Sequence, residues 1–317
     1  MFKLLVATGI SVAVVIGLRT GLEFRTPFGF SVVLYLIVYW IAGKIERKFH
    51  NIDQSVHPAI AERWPLSGPI GTYGAGLYQF VATVSGLLAI FNPLQLLQGL
   101  VQLVGNAWAA SRSLGNHVHQ PAYRLPFQGE WLVYNGGVTK STSHSWGVVA
   151  QRYAYDFVVV DAGLRRHRGG GAQPDEYYCY DQPIVSAAEG VVVKVVDGIG
   201  LAPFLGYAVV DFTACNFIGN HVVIQHAPRE FGLYAHLRKG IQVSVGEIVS
   251  QSQEIGRCGH TGHSTEPHLH FQIQDRANFY VARGVPVRFS ESIPGDWRGS
   301  GYIQAGDRVE HGRLQEN

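Results

Sequence analysis

The chain has 317 residues, enough for about two domains, with a net charge of only +2 and 15% charged residues. No basic patch is present, which excludes nucleic acid as a partner. Three cysteines, Cys179, Cys215 and Cys258, lack the CxxC spacing of a thiolate metal site or a disulfide framework.

The first third is apolar. Residues 4–18 are almost free of polar groups, and residues 28–43 form a second apolar stretch ending in Lys44, Arg47 and Lys48. A third apolar region covers residues 77–108, interrupted at Asn92 and Pro93. Residues 1–111 are therefore expected to be a membrane anchor of two to four transmembrane helices. The basic cluster places the loop after the second stretch on the cytoplasmic side. Counting the third region as one span or a re-entrant loop delivers the rest of the chain to the external side. Two full spans there would reverse that. The expected location is thus the cytoplasmic membrane, multi-pass, with an external C-terminal domain.

Residues 112–127 are polar and read as a linker. Short runs of β-type residues follow, at 130–134, 155–160, 183–190, 191–196, 221–225, 232–236 and 268–274, separated by Gly, Asn and Asp turn signals. Many short strands at this spacing predict an all-β domain, an antiparallel sandwich or barrel-like fold, over residues 128–300. Residues 165–174, basic and glycine-rich, read as a flexible insertion, and residues 301–317 as a polar tail.

The chemistry is concentrated in Pro267-His268-Leu269-His270-Phe271. On a strand, His268 and His270 share a face while Leu269 and Phe271 face the core. Asp156 lies between Tyr155 and Phe157 and ahead of three valines, so it is expected near the core. A carboxylate there is costly unless it is paired or bound to metal. His236 ends another strand-like run. One Asp and three His drawn from three separated strands suit a catalytic zinc site.

These motifs resemble the lysostaphin-type zinc endopeptidases, the murein hydrolase family that cuts peptidoglycan peptides. The resemblance covers about residues 125–290. It is carried by Tyr234-Ala235-His236-Leu237, by residues 255–262, by Pro267 to Phe271 and by the strand pair at 183–193 and 219–224. It implies Asp156 and His270 as Zn2+ ligands and His236 and His268 as catalytic residues. The family's remaining ligand falls four residues before Asp156, where this chain has Arg152. An arginine stays protonated and cannot ligate. His144 is expected to replace it, with Arg152 as a neighbour of the site. His263 and Tyr153 are candidate substrate contacts, and Tyr234 is expected in the core. His221, His226 and His260 are expected at the surface or behind the site. The implied function is zinc-dependent hydrolysis of stem-peptide or cross-bridge bonds. The alternative is an inactive peptidoglycan-binding or amidase-activating module of the same fold.

Overall fold

The computed structural model describes residues 11, 32–40, 65–112, 119–290 and 301–311. The chain divides into two compact units, Met1–Pro58 and Ala59–Asn317. In the first, residues 32–40 are helical and expose Val33, Ile37 and Trp40. The apolar segment at residues 4–18, Ser11 apart, and the basic cluster at residues 44–48 lie outside the described residues.

The second unit begins with two helices, α1 (Ala75–Leu88) and α2 (Pro93–Ala110). The sequence dictates the break between them. The Asn92 side chain caps α2 by accepting from Leu94 N at 3.0 Å and Gln95 N at 3.4 Å. Pro93 occupies the first helical position, where its missing N–H costs nothing. The axes bend by 99° there, and no single described helix is long and apolar enough to cross a membrane. The third apolar region is thus an elbow of two helices; of the two forms expected for it, one span or a re-entrant loop, a straight single-helix span is not what it forms.

The strands are β1 (Glu130–Asn135), β2 (Tyr155–Val158), β3 (Pro183–Val185), β4 (Gly190–Val196), β5 (Asn220–Ala227), β6 (Glu230–Leu237), β7 (Ile248–Val249), β8 (Glu254–Arg257), β9 (Leu269–Gln274), β10 (Gly284–Val285) and β11 (Arg308–Glu310). One antiparallel sheet has the order β11-β1-β2-β9-β6-β5-β4-β7, with β10 paired to β9, and β3 and β8 form a separate pair. The expected mostly antiparallel β domain is what the described residues form. One face of β9 sends Leu269, Phe271 and Ile273 into the core with Tyr155, Phe157, Val222 and Tyr234. The Tyr234 hydroxyl also accepts from Ala187 N at 2.8 Å, so this tyrosine is core structure.

Two boundaries differ from the sequence reading. Residues 301–311 are not a featureless tail: Val309 is buried opposite Trp131, and β11 completes the edge of the sheet. Its three-residue strand is too short to show an alternation. The expected linker also enters the core, through Tyr123, Leu125 and Phe127.

That segment is clasped by Glu230, a fully buried carboxylate. It accepts from His119 Nδ1 at 2.8 Å, Gln120 N at 3.0 Å and the Tyr123 hydroxyl at 2.7 Å. Burial pushes the Glu230 carboxyl up, but these donors outweigh it and hold the group below the ordinary glutamate value of 4.5. A depressed folded value means the stabilisation is present above the unfolded value and is lost as pH falls through the folded one. Removing one partner of a buried charged cluster costs about 3–5 kcal/mol. Glu230→Ala is therefore expected to lower unfolding free energy by that order in urea titrations at pH 7. The difference from wild type should shrink in acid. A loss below about 1 kcal/mol, within the range of exposed ion pairs, sinks this assignment.

The basic insertion at residues 165–174 is also tied down. Arg166 is buried and pairs with Glu266 at 2.7 Å, and His167 Nε2 accepts from Gly68 N at 3.1 Å. Its charge reads as solvated until the buried Glu266 is placed beside it.

Candidate active site

The sheet register builds the site. Asp156 on β2 lies directly across from His270 on β9, and Asn135 on β1 is registered with Asp156. Directly opposed residues of an antiparallel pair project to the same face. Asn135, Asp156 and His270 thus form one row across three strands, and Ala235 on β6 extends it opposite His270.

His236 follows Ala235, so strict alternation sends its side chain to the other face. It instead has φ 60°. This left-handed conformation is uncommon outside glycine, though histidine is among the residues that tolerate it. The alternation breaks there, and the imidazole packs beside His268 and His270, with ring centroids 4.8 and 5.8 Å away.

His144 arrives by the loop between β1 and β2. The loop leaves β1 at Gly136, which has φ 127°, and an added Cβ there would meet Tyr155 Cδ1 at 2.5 Å. Only glycine lets the backbone pass so close to β2. The loop carries His144 Nε2 to 3.4 Å from Asp156 Oδ2. Arg152 turns away: its Nε donates to Trp146 O at 3.2 Å and its guanidinium lies over the Trp146 ring.

The Asp156 carboxylate is buried and surrounded by imidazoles. His270 Nδ1 lies 2.9 Å from Oδ1, and His268 Nε2 lies 3.7 Å from the same oxygen. Asn135 Nδ2 donates to Oδ2 at 3.1 Å. Burial pushes the carboxyl up, but His144, His270 and His268 outweigh it and hold Asp156 well below the usual range.

Hydrogen bonds fix the tautomers. His236 Nδ1 donates to Thr261 O at 2.8 Å and His268 Nδ1 donates to Glu266 O at 2.8 Å. A carbonyl can only accept, so in the neutral rings each Nε2 keeps its lone pair. Burial, with His268 and His270 nearby, pushes His236 well below the usual value and keeps it neutral. His270 differs. Gln272 Nε2 donates to Ala150 O and to Gln274 Oε1, so Gln272 Oε1 faces His270 Nε2 at 3.1 Å. His270 Nε2 therefore carries a proton, and Nδ1 is the nitrogen turned to Asp156. Burial disfavours the charged ring, but the Asp156 contact prevails and raises the His270 value.

These side chains floor a groove of about 410 Å3, walled by Phe217, Ile218, His263, Thr265 and Phe279. His263 Nε2 donates to Gln95 Oε1 of α2 at 2.6 Å, and burial pushes His263 down to about 4. Tyr153 does not line the groove. Its ring packs edge-on against Trp146 at 5.9 Å. His221, His226 and His260 serve structure: His221 Nδ1 donates to Gly219 O, and His226 links Glu189 O to the Tyr234 hydroxyl. His260 Nδ1 meets Ser264 Oγ behind His268. Sequence reasoning missed Asn135, Gln272 and Gln95. The first stands in a turn signal, and the other two reach their partners only through the tertiary fold.

Residues 177–282 match the family described as Peptidase family M23. The chain carries a peptidase family M23 domain. The match contains His236, His268 and His270 and begins after Asp156, so His144 and Asp156 lie upstream of it. Among curated proteins, the chain is similar to peptidoglycan DD-endopeptidase ShyA of Vibrio cholerae serotype O1, at 40% identity over 78 residues (25% of this chain, 18% of that protein). It is similar to peptidoglycan DD-endopeptidase ShyC of the same organism, at 34% identity over 106 residues (33% and 24%). Lysostaphin of Staphylococcus simulans shares 40% identity over 76 residues (24% and 14%). The chain thus spans less than a quarter of the length of the relatives it matches.

The donor set of His144, Asp156 and His270 fits zinc. Nitrogen and carboxylate oxygen are its usual ligands, at bonds of about 2.0–2.2 Å, which place neighbouring tetrahedral ligand atoms roughly 3.4 Å apart. His144 Nε2 and Asp156 Oδ2 stand at 3.4 Å. Among the described residues no group of three His, Cys, Asp or Glu holds metal-binding geometry outright. His270 Nδ1 bonds directly to the Asp156 carboxylate at 2.9 Å.

Proposed function

We propose that the chain is a zinc-dependent endopeptidase that hydrolyses peptide bonds in peptidoglycan stem peptides or cross-bridges. One observation carries the reading. A buried Asp156 carboxylate is flanked by His144 and His270, while His236 and His268 present unprotonated Nε2 atoms at the same groove floor. The names of the M23 relatives support the substrate class. His144 Nε2, Asp156 and His270 Nδ1 would hold the metal, and Gln272 would keep the His270 proton on Nε2, orienting the ligand from behind. Bound there, zinc supplies a Lewis acid that polarises the scissile carbonyl and acidifies water.

The chain's own groups then handle protons and charge. One of His236 and His268 takes the water proton through Nε2 and returns it to the leaving amine. The other, once protonated, donates to the developing oxyanion. Thr261 O and Glu266 O hold the two rings in the required tautomer. The apolar walls at Phe217, Ile218 and Phe279 exclude water, and His263 offers a polar contact to the substrate. The apolar segments before residue 111 support anchorage in the cytoplasmic membrane with the groove on the external side, beside this polymer.

The test uses the full chain in detergent, supplied with zinc, and purified peptidoglycan. Mass spectrometry of the soluble products is expected to show new amine and carboxyl ends at peptide bonds, suppressed by a chelator and restored by zinc. Retention on peptidoglycan without any cleaved bond overturns hydrolysis in favour of a binding module.

A further inference from the structure

Helix α2 is built inside out. Gln95, Gln98, Gln102, Gly105, Asn106 and Ala109 are its buried or half-buried positions, and they recur every three or four residues along one face. That face holds the peptidase domain. Gln95 Nε2 donates to Asp211 O and Ala214 O, Gln98 Nε2 donates to Cys215 O, and Asn106 brackets Gly147 O and Val149 N. The opposite face carries Leu97, Leu100, Leu103, Val104 and Trp108, all exposed, with Val104 at 71%. A helix on a soluble domain turns its apolar stripe inward. Here the polar stripe faces the protein and the apolar stripe faces out.

The outer surface continues along α1 through Leu77, Phe80 and Leu88 and around the elbow through Ile90 and Phe91. No Asp, Glu, Lys or Arg occurs between residues 75 and 110. A contiguous uncharged apolar patch of this kind marks a binding surface. Its end shows what the surface binds. Arg112 and Arg276 place their guanidinium groups 4.0 and 4.6 Å from the Trp108 ring centroid, so basic charge and an indole cap the apolar face. Indole beside cationic side chains suits the headgroup level, where anionic lipids supply the complementary charge. The 18 residues of α2 measure about 27 Å, short of the roughly 30 Å hydrocarbon core.

We infer that the α1–α2 elbow lies in the plane of a lipid bilayer surface, its outer face among the acyl chains and its glutamine stripe bound to the peptidase domain. The same helices grip the groove rim, through Tyr78 to Thr265, Gln95 to His263 and Asn106 to the loop that carries His144. The groove is thereby held at a fixed height above the lipid. The inference is independent of catalysis.

The test is nitroxide labelling of the full chain in vesicles of phosphatidylethanolamine and phosphatidylglycerol. Cys215→Ser removes the exposed native thiol, while Cys179 and Cys258 are buried. Labels are placed by Leu97→Cys, Leu103→Cys and Val104→Cys, all exposed positions whose substitution spares the fold, and by Lys239→Cys as a solvent reference. The oxygen-to-nickel-chelate collision ratio is expected to be several-fold higher at the three elbow positions than at residue 239. A ratio equal to that at 239 overturns the inference. So does shielding from both reagents, which places protein on the face, either a second copy or the apolar segments of residues 1–58.

Discussion

His144→Ala is expected to strip the metal from the protein, while Arg152→Ala leaves it bound. The contrast follows from where each side chain ends. His144 Nε2 stands 3.4 Å from Asp156 Oδ2, and Arg152 is spent on Trp146. Losing an outer-shell partner of a metal ligand typically costs 10–100-fold in affinity or activity. Losing a ligand should exceed that and bring peptidoglycan hydrolysis to background. Zinc is measured in the purified full chain after dialysis against a weak chelator. Asp156→Ala and His270→Ala should match His144→Ala. Full occupancy in His144→Ala, or loss in Arg152→Ala, assigns the first ligand elsewhere.

How far this site is legible in the sequence depends on how local each placement is. His268 and His270 share a face by strand alternation alone, and Asp156 in an apolar run is costly wherever it is buried. Those inferences need no tertiary information. His236 is different. Its motif marks it, but its direction depends on one left-handed backbone angle that alternation predicts wrongly. His144 depends on a loop whose path is set by Gly136 against Tyr155 and by Asn106 of α2 gripping Val149. No residue near His144 in sequence encodes that grip. The fold shows the same division. The longer strands read directly, whereas β7, β10 and β11 are too short to carry a period. Residues 119–127 look like a linker because their anchor, Glu230, lies far along the chain. The third apolar region is conspicuous by composition. That its glutamines face the protein and its leucines do not appears only when its partner surface is present.

His236→Ala and His268→Ala are expected to lower kcat by 10²–10⁴-fold, the usual contribution of a positioned proton-transfer group, while zinc content stays at the wild-type level. Both imidazoles carry a proton on Nδ1 fixed by a backbone carbonyl, and both offer Nε2. They are not equivalent. His236 is more deeply enclosed, and burial holds it neutral far below the ordinary imidazole value. His268 Nε2 stands 3.7 Å from the Asp156 carboxylate. Neutral His236 keeps a lone pair on Nε2 and must take up a proton before it can donate to an oxyanion, so either ring can serve as the base. The two roles separate kinetically. Loss of the base should flatten the acid limb of the kcat profile, because that limb reports its protonation. Loss of the oxyanion donor should lower kcat while the acid limb keeps its position. A flattened acid limb in one variant alone makes that residue the base, and an unchanged limb in both removes proton transfer from the pair. Zinc loss in either variant makes that residue part of the metal site instead, and proton transfer then needs another group in the groove.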